Sequence, residues 1–596
     1  MKQERLQSKR MVIRQAAVPE QGDPMNMVMR SEGRMASTSW RTDLQRRLLF
    51  PIMLGLLFAL GDEVVATGGH LYPTRPQLYV KAVIYMAVFA AAFILVERGA
   101  ALLTARERFE SRSSIWFGWS PRSVAIGAAG IAACWLPYLM AQYPGVYWSD
   151  TSRQLVMYYG GEPVMDQHPF FTTYLFGWFA DLGQLLFSDR IAGLYVLIVI
   201  QAAAMAVLLA VMTCYIRRIG TPRWLCLLTY GIVALFPLFP VMFSSLAKDT
   251  VNAVFLLPFM MMVAEIIRTK GSCLCRPWFA ALLAADSLLV CLTKKTGVYV
   301  VAVTLLALCL IAIGARLRIM LAGLAAAMAV IMAVFIPNIL FPALRIQPGG
   351  QQEMVPVVAQ QLAHDLKYNG DDYSGQDRAI IDGFFEYGSE TMAEQYNPFQ
   401  ADAIKGMYTR HESSLADVLS LWLRKTIEHP LGHLEAWLST SHGWITFRGP
   451  DNASGCLLPY FASNWYSEQV TDYMSWPQET KRNRDVQIVY DTVQGIPVIN
   501  VLFYRAFWAT MVPCLLCYLA CGLPRDERRR AWLMLVPLLV STATLFIAGV
   551  SGLGGEPTRY VLTSMIMIPV VVGFVASCRF GGATERQCDA SAGMWV

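Results

Sequence analysis

The feature that most constrains this chain is the recurrence of apolar stretches long enough to cross a lipid bilayer. A spanning helix needs roughly 20 mostly apolar residues, and twelve stretches of the 596-residue sequence approach that length. They lie at 44–61, 78–97, 121–141, 190–216, 223–246, 250–268, 277–293, 296–314, 317–337, 496–521, 529–549 and 559–578. Only 15% of the residues are charged, against about 25% in soluble proteins. The sequence therefore predicts an all-α polytopic membrane protein with about 12 transmembrane helices. It excludes a cytosolic enzyme, a disordered protein and a nucleic-acid binder, despite a net charge of +6.

A thirteenth apolar stretch, 169–187, decides how the later loops are oriented. Lys and Arg concentrate in the cytoplasmic loops of membrane proteins. If 169–187 does not span, more than half of the 49 Lys and Arg residues lie on the cytoplasmic side, including the clusters at 217–223 and 525–530. If it spanned, those two clusters would face outward. We therefore interpret 169–187 as a helix in the outer interface, and expect a multi-pass plasma-membrane protein with both termini cytoplasmic.

This topology divides the chain into six parts. They are a basic cytoplasmic tail at 1–43, a transmembrane hairpin with a cytoplasmic loop at 44–120, a transmembrane core at 121–337 whose first outer loop is 142–189, an acidic extracytoplasmic domain at 338–495, C-terminal transmembrane helices at 496–578, and a cytoplasmic tail at 579–596. The tail at the N-terminus is polar and basic, without the early apolar core of a signal peptide.

The extracytoplasmic domain is distinct in composition, with nearly two acidic residues for each basic one. Its length is sufficient for a hydrophobic core of its own. Leu415, Val418, Leu419 and Trp422 recur at helical spacing and predict an amphipathic helix. Of the 13 cysteines only Cys456 falls in this domain, so no internal disulfide framework is expected. We expect a mostly helical domain.

Polar residues cluster in the first outer loop, close to where it re-enters the membrane. Asp150, Arg153 and Gln154 share one face of a short helical stretch by their spacing. Asp166 and His168 follow, just before the helix that Pro169 starts. Asp150 has two interpretations, because the sequence Ser-Asp-Thr also suits an N-cap of its own helix.

Three more polar clusters fall on the predicted outer face. Lys248 and Asp249 begin one span, the pair Lys294-Lys295 follows another, and Arg559-Tyr560 begins the last span. Lys248 and Asp249 could form a simple interfacial ion pair. However, lysine is disfavoured on the outer face, and all four of these polar clusters, which are distant in the chain, fall on it. The cations among them indicate a site for an anionic ligand. Lys and Arg suit phosphate groups in particular.

These residues resemble a known enzyme superfamily. Asp150 followed by the sequence HPFFTTYLFGWF resembles the first outer loop of the GT-C glycosyltransferases, which include protein O-mannosyltransferases and lipid A aminoarabinose transferases. Asp249 resembles their second outer aspartate. More closely, the chain resembles a bacterial family of uncharacterised multi-pass membrane proteins over about 120–580. The residues that carry this resemblance are Tyr143-Pro144-Gly145, Asp150, Gln154, His168-Pro169, Phe236-Pro237, Lys248-Asp249, Gln360-Gln361, Asp402, Lys405 and Arg559-Tyr560.

The resemblance implies an enzyme that, among membrane lipids, moves a sugar from a polyprenyl-phosphate donor to an extracytoplasmic acceptor such as a cell-envelope glycan, a lipid or a protein. It implies catalytic roles for Asp150, Asp249 and His168, with Asp150 as the general base. It implies substrate or phosphate contacts for Arg153, Gln154, Lys248, Lys294, Lys295, Arg559 and Tyr560. Some members of the superfamily bind a divalent cation between outer-loop carboxylates and others need none. The candidate ligands here are Asp150, Asp166 and Asp249.

Three other functions compete with this interpretation. A lipid or glycan transporter or flippase would place charges deep in the membrane, and Glu265 and Asp286 are the candidates for such positions. An O-antigen-polymerase-like enzyme would rely on arginines in two outer loops, whereas the long outer domain here is acidic. A non-catalytic membrane scaffold would need none of these clusters.

Overall fold

The structure is a computed structural model that describes residues 40–109, 117–406, 408–463, 467–552 and 556–581. Within these ranges most of the chain is helical, and the strands are limited to two residues each, at Val146–Tyr147 and Ser245–Leu246. The predicted all-α class is therefore confirmed. Most of the two predicted cytoplasmic tails, 1–43 and 579–596, lies outside the described residues.

Eight of the described helices have the length and apolar composition to cross a membrane. They are Asp43–Ala66, Pro76–Glu107, Pro121–Ala141, Arg190–Arg218, Lys248–Arg268, Ala315–Leu344, Arg525–Ile547 and Pro557–Phe580. Four shorter apolar helices lie at Arg223–Leu235, Pro277–Thr293, Gly297–Leu308 and Phe507–Cys521. The chain is a multi-pass helical membrane protein. The predicted number of about 12 spans requires the four shorter helices to cross as well, and it stays a prediction.

The predicted stretch 223–246 is not one helix. Helix Arg223–Leu235 ends and a short helix, Leu238–Phe243, follows it. The break falls at Phe236-Pro237, where Phe236 takes an extended conformation. Proline lacks an N–H to continue the helical hydrogen bonds and disfavours helical geometry in the residue before it. The sequence prediction overlooked this break because the stretch stays apolar across it.

Two other helix ends differ from the prediction. The stretch 317–337 continues through Leu344, because a π-helical segment, Ile331–Leu340, accommodates Pro337 without ending the helix. The stretch 496–521 starts later, since Ile499–Phe503 is a 3-10 turn and the continuous helix begins only at Phe507. Apolar composition alone does not distinguish a spanning helix from the turn that leads into it.

The first loop of the transmembrane core contains two helices, Ser149–Tyr158 and Phe170–Phe187. Helix 170–187 is not among the eight candidate spans. It packs closely on helix 190–218 where Gly183 meets Gly193, because a Cβ at Gly193 would lie 1.9 Å from the carbonyl oxygen of Phe179. Its other face exposes large apolar side chains, namely Trp178, Leu182, Leu185, Leu186 and Phe187.

The segment from 345 to 495, which we name the acidic segment, is built from short helices. They are Pro356–Asn369, Gly375–Asp382, Ser389–Gln395, Asp402–Lys405, Leu415–Glu428, Pro430–Ile445, Ser467–Thr471 and Lys481–Gln494, with 3-10 turns at Gln351–Met354, Gly370–Asp372 and Pro450–Asn452. The predicted amphipathic helix is present at 415–428, but Val418 and Leu421 form its fully buried face while Leu419 is exposed.

The acidic segment has a hydrophobic core of its own only in its first half. This core runs from Val355 to Leu421 and packs Trp422 against its edge. Beyond it, Trp444 and Tyr490 belong to the same core as the long apolar helices. Helix 430–445 packs on the first long helix, where a Cβ at Gly61 would lie 2.7 Å from the Ile445 carbonyl oxygen. The second half of the segment is therefore continuous with the helix bundle.

Candidate ion-pair site

A pair of very short strands brings two of the predicted site residues together. Residues 146–147 pair in parallel with residues 245–246. Gly145 makes the turn into the first strand with a φ of 110°, a conformation that glycine adopts readily. Thr151 stabilises this strand pair by donating a hydrogen bond from its hydroxyl to the Leu246 carbonyl oxygen at 2.7 Å. Asp150 and Lys248 each follow their strand within a few residues, so both reach the same end of the helix bundle, which we name the site face.

Three side chains converge on one oxygen of Asp150. The Lys248 Nζ lies 2.7 Å from Asp150 Oδ2, and the Arg559 guanidinium forms an ion pair with the same oxygen. The His168 Nδ1 lies 3.5 Å from it and 3.2 Å from Lys248 Nζ. These residues come from a loop helix, from the chain just before helix 170–187, and from the first turns of two long helices. Tertiary folding therefore gathers them from four parts of the chain.

Asp249 is the second carboxylate of this site, and only 1% of its side chain is exposed. Its Oδ1 lies 2.6 Å from the Lys294 Nζ, and its Oδ2 lies 3.8 Å from an Arg559 nitrogen. Lys294 also donates to the Thr563 hydroxyl at 2.8 Å. The Tyr560 ring lies 5.5 Å from Lys294 Nζ and 5.1 Å from the Arg559 guanidinium carbon. Arg559 thus bridges the two aspartates.

A third carboxylate, Glu556, was not among the predicted site residues. Its Oε2 lies 2.5 Å from the Arg559 Nε, and its Oε1 accepts hydrogen bonds from Tyr460 at 2.7 Å and from Ser149 at 2.9 Å. Tyr460 stacks on Trp148 with ring centroids 4.3 Å apart. The sequence contained a signal for Glu556, which stands one helical turn before Arg559. It contained none for Tyr460.

We refer to Asp150, Asp249, Glu556, Lys248, Lys294, Arg559 and His168 as the central network. Burial alone would raise the pKa of Asp150, but the Arg559 and Lys248 cations hold that pKa well below its usual range. Burial lowers the pKa of His168 to about 3, so its imidazole is neutral at physiological pH. Three carboxylates therefore balance three cations. An anionic ligand must compete with carboxylates for these cations.

Two interpretations made from the sequence are wrong. Asp150 is not an N-cap, because helix 149–158 has Trp148 at the cap position without a side-chain cap bond, and Asp150 lies inside the first turn. Lys248 and Asp249 do not pair with each other, since each binds a partner from elsewhere in the chain. Adjacent residues in a helix point about 100° apart, which explains why they turn toward different partners.

Several predicted site residues lie outside the central network. Arg153 binds Glu162 at 3.2 Å and Gln167 at 2.7 Å. Gln154 donates to the Thr172 hydroxyl at 2.7 Å, and so connects the two helices of the loop. Lys295 lies 3.0 Å from an Asp166 carboxylate oxygen, and its side chain is 46% exposed. Burial raises the pKa of Asp166 against the effect of Lys295. These residues hold the loop around the network.

The three aspartates proposed as metal ligands do not form one ligand group. Among the described residues, Asp150, Asp166 and Asp249 are each paired with a different lysine. A lysine ammonium occupies the position that a cation would take at each carboxylate. The described residues therefore provide no shared set of three carboxylates for a divalent cation at this site.

The acidic segment contacts the first loop of the transmembrane core. Glu353 accepts a hydrogen bond from Gln167 at 3.3 Å and pairs with Lys405 at 2.8 Å. Lys405 also pairs with Asp402 at 2.8 Å. Gln361, another residue of the resemblance, binds the His433 carbonyl oxygen at 2.8 Å inside the segment. These residues support the loop from outside rather than entering the central network.

The fold and the site define a multi-pass helical membrane protein with a buried, charge-balanced network at one end of its bundle. The chain belongs to the family described as "Family of unknown function (DUF6020)", whose family model matches residues 163–585. The matched region includes Lys248, Asp249 and Arg559, and begins after Asp150. No curated protein and no solved structure matches the chain.

Proposed function

We propose that the protein is a membrane glycosyltransferase that moves a sugar from a polyprenyl-phosphate donor to an extracytoplasmic acceptor. The observation that carries the proposal is the sharing of one Asp150 oxygen by Lys248 and Arg559 in a buried site at the end of the bundle. This arrangement combines a candidate base with two cations suited to a phosphate.

The donor phosphate would take the two cations that now bind Asp150. Arginine offers a planar pair of donors to phosphate oxygens, and the lysine adds a point charge. When the sugar–phosphate bond breaks, the leaving phosphate becomes more anionic, so these contacts strengthen during the reaction. Asp249 would stay paired with Lys294 and keep that side of the network in position.

Donor binding would also activate the base. With Arg559 and Lys248 beside it, Asp150 has a low pKa and is a weak base. Once the phosphate takes those cations, the pKa of Asp150 returns toward its usual range, and the carboxylate can accept the proton of an acceptor hydroxyl. His168, neutral and 3.5 Å from Asp150, can orient the carboxylate. The acceptor is therefore deprotonated only when the donor is in place.

Helix 170–187 supplies an apolar surface next to the site. It follows His168 directly, and it exposes 79% of Leu185 and 60% of Trp178. An exposed apolar face on a membrane protein suits contact with lipid chains. The prenyl chain of the donor would lie along this face while its phosphate enters the central network.

The topology is part of the proposal. Twelve spans, cytoplasmic termini and a plasma-membrane location would place the site face and the acidic segment outside the cell. Gln400 is exposed on the acidic segment and Cys275 is exposed at the other end of the bundle. In a chain whose other cysteines are replaced, an impermeant thiol reagent should label Gln400→Cys in intact cells and reach Cys275 only after permeabilisation. The reverse labelling would contradict the topology.

The function is tested by analysing the lipids of cells that lack the protein. A polyprenyl-phosphate-linked sugar should accumulate in these cells and return to its normal level when the wild-type chain is supplied. Asp150→Asn should not restore the level, whereas Asp166→Asn should, because Asp166 belongs to the loop pair with Lys295. An unchanged lipid-linked sugar pool in the deleted cells would reject the proposal.

A transporter or flippase is the second candidate, and Asp286 favours it. This carboxylate is 6% exposed within helix 277–293, and its Oδ2 has no hydrogen-bond partner among the described residues. Ionisable groups inside membrane helices often mark transport pathways. In vesicles containing the protein and a fluorescent prenyl phosphate, a transporter would move the lipid between leaflets, and Asp286→Asn would abolish this movement. Glu265 does not support transport, since it binds Arg268 at 2.7 Å near a helix end.

A further inference from the structure

A second group of ionisable side chains lies apart from the central network. It consists of His70, His364 and Glu435, whose ligand atoms all lie within 4.8 Å of one another. The three residues come from separate segments. His70 lies in the loop between the first two long helices, His364 in helix 356–369, and Glu435 in helix 430–445. The sequence analysis did not single out any of them.

The distances are close to those of a metal-ligand set. Glu435 Oε2 lies 3.2 Å from His364 Nε2 and 3.5 Å from His70 Nδ1. Two ligand atoms bound about 2.0–2.1 Å from a tetrahedral zinc ion are roughly 3.3 Å apart. The two distances from the carboxylate to the imidazoles therefore fit, and the distance between the two imidazole nitrogens is at most 4.8 Å.

Neighbouring groups hold the ligands in this orientation. Glu435 Oε1 accepts the Leu71 backbone N–H at 2.7 Å, which turns Oε2 toward the two imidazoles. Gly432 leaves room for the His364 ring, since a Cβ there would lie 2.8 Å from its Cε1. The Tyr368 ring lies 4.8 Å from the His364 ring and 5.1 Å from the His70 ring, measured between centroids. Outer contacts of this kind fix the geometry of ligands in metal sites.

Burial and charge also suit a bound cation. The side chains of His364 and Glu435 are 4% and 10% exposed, whereas His70 is 32% exposed and leaves a route from solvent. Within the described residues, the ion-pair partners of Glu435 are these two imidazoles rather than a lysine or an arginine. In the described part of the chain, no ammonium or guanidinium group therefore competes for this carboxylate, in contrast with the aspartates of the central network.

We propose that His70, His364 and Glu435 bind one divalent transition-metal ion, with zinc as the best fit. Two imidazole nitrogens and one carboxylate oxygen form a common three-ligand set for zinc and leave a fourth position for water. Magnesium and calcium prefer ligand sets made of oxygen atoms, so they fit poorly. The ion ties the first interhelical loop to two helices of the acidic segment, and so braces that segment on the bundle.

The test uses the full-length protein purified in detergent and stripped with a chelator. Titration with Zn²⁺ should show one ion bound per chain, and binding should raise the unfolding temperature because the ion binds the folded state. Glu435→Gln and His70→Asn should each weaken zinc affinity at least about 100-fold, since even the loss of an outer contact costs 10- to 100-fold. Co²⁺ in place of zinc should give the visible absorption of a tetrahedral site.

The matched control is His411→Asn. His411 is an exposed histidine of the same segment with a φ of 65°, a conformation that asparagine tolerates. This variant should bind zinc as the wild type does. The proposal is overturned if the wild type binds less than about one ion in ten chains at micromolar zinc, or if folded Glu435→Gln and His70→Asn proteins bind zinc with wild-type affinity. Size-exclusion chromatography identifies folded protein, and His364→Asn serves as the third ligand variant if either of the others misfolds.

Discussion

Helix 556–580 carries a buried ion-pair network at each of its ends, and the two are built differently. Arg559 belongs to the central network, and Arg579 lies about 30 Å away along the helix axis. At the Arg579 end, Glu97 is shared by Arg579 at 2.6 Å, by Arg46 at 2.9 Å and by the Tyr518 hydroxyl at 2.6 Å. We name this group the Glu97 network. It connects three long helices through one carboxylate, both oxygens of which accept hydrogen bonds.

The central network contains more buried polar atoms without a hydrogen-bond partner. It contains three carboxylates, three cations and a neutral histidine. Within the described residues, four of its buried atoms make no hydrogen bond, namely His168 Nε2, Asp249 Oδ2, Glu556 Oε2 and Arg559 Nε, although the last two face each other in an ion pair. The Glu97 network has one such atom, Arg579 Nη1. A buried polar atom without a partner is costly, and it is satisfied when a ligand supplies the bond. The difference teaches that burial of charge alone does not mark a functional site. Our proposal assigns function to the network whose buried atoms can take further partners.

The largest effect is expected when the proposed general base of the central network is replaced. Asp150→Asn should reduce sugar transfer roughly 100- to 10,000-fold, the range for a lost general base, while the protein still inserts and folds. Transfer is measured with purified protein and a lipid-linked donor. Asp166→Asn is the matched control and should keep near wild-type transfer, because Asp166 belongs to the loop pair with Lys295. Near wild-type transfer by Asp150→Asn would move the search for the base to Asp249.

The Glu97 network should respond in the opposite way. Glu97→Gln removes the carboxylate that Arg46 and Arg579 share, which should destabilise the protein by about 3–5 kcal/mol. The measurement is thermal or denaturant unfolding in detergent, together with transfer per folded molecule, which should not change. Glu479→Gln is the control, because Glu479 is 53% exposed and pairs with Arg484 at the surface. A loss of transfer without a loss of stability would remove the contrast between the two networks.

Arg559→Lys tests the proposed contact between the central network and the donor phosphate. The variant keeps the charge and loses the planar pair of donors, so donor affinity should fall about 10- to 100-fold, corresponding to a charged hydrogen bond of about 1.5–3 kcal/mol. Binding of farnesyl phosphate to the purified protein measures this effect. Arg559→Ala should bind more weakly still and also lose stability, because Asp150 and Glu556 would remain buried without it. Unchanged binding by both variants would place the phosphate elsewhere.

The smallest effect per pH unit is a dependence of stability on pH caused by His168. Its pKa is about 3 in the folded protein, below the ordinary value of about 6.5 in the unfolded chain. The unfolded chain therefore takes up a proton first, so stability decreases as pH falls from 6.5 toward 3, by up to about 1.4 kcal/mol per pH unit. Unfolding of wild type and His168→Gln across this range measures the effect, and the variant should give the flatter curve. Equal slopes would contradict a buried neutral His168.

Local sequence patterns predicted the helices better than they predicted the ends of those helices or the partners of the polar residues. The break at Phe236-Pro237 and the extension of a helix through Pro337 both involve proline, whose effect depends on whether the local helical geometry accommodates the missing hydrogen bond. Helix 415–428 was predicted correctly, yet its buried face includes Leu421 instead of Leu419. Which face of a helix is buried depends on where the rest of the protein packs against it. The sequence of the helix itself does not determine this.

The sequence by itself determined that the chain is helical, that it contains many membrane-length apolar stretches, and which polar residues stand out against them. This information is local, because the free energy of moving a segment from water into a bilayer is close to a sum over its own residues. The tertiary structure decided the partners. Asp150 and Arg559 are some 400 positions apart in the chain, Glu556 and Tyr460 join them through contacts that no spacing predicts, and His70 meets Glu435 only because helix 430–445 packs on the first long helix. Such pairings depend on the closure of long loops and on the packing of whole helices, so they are fixed only when the chain is folded.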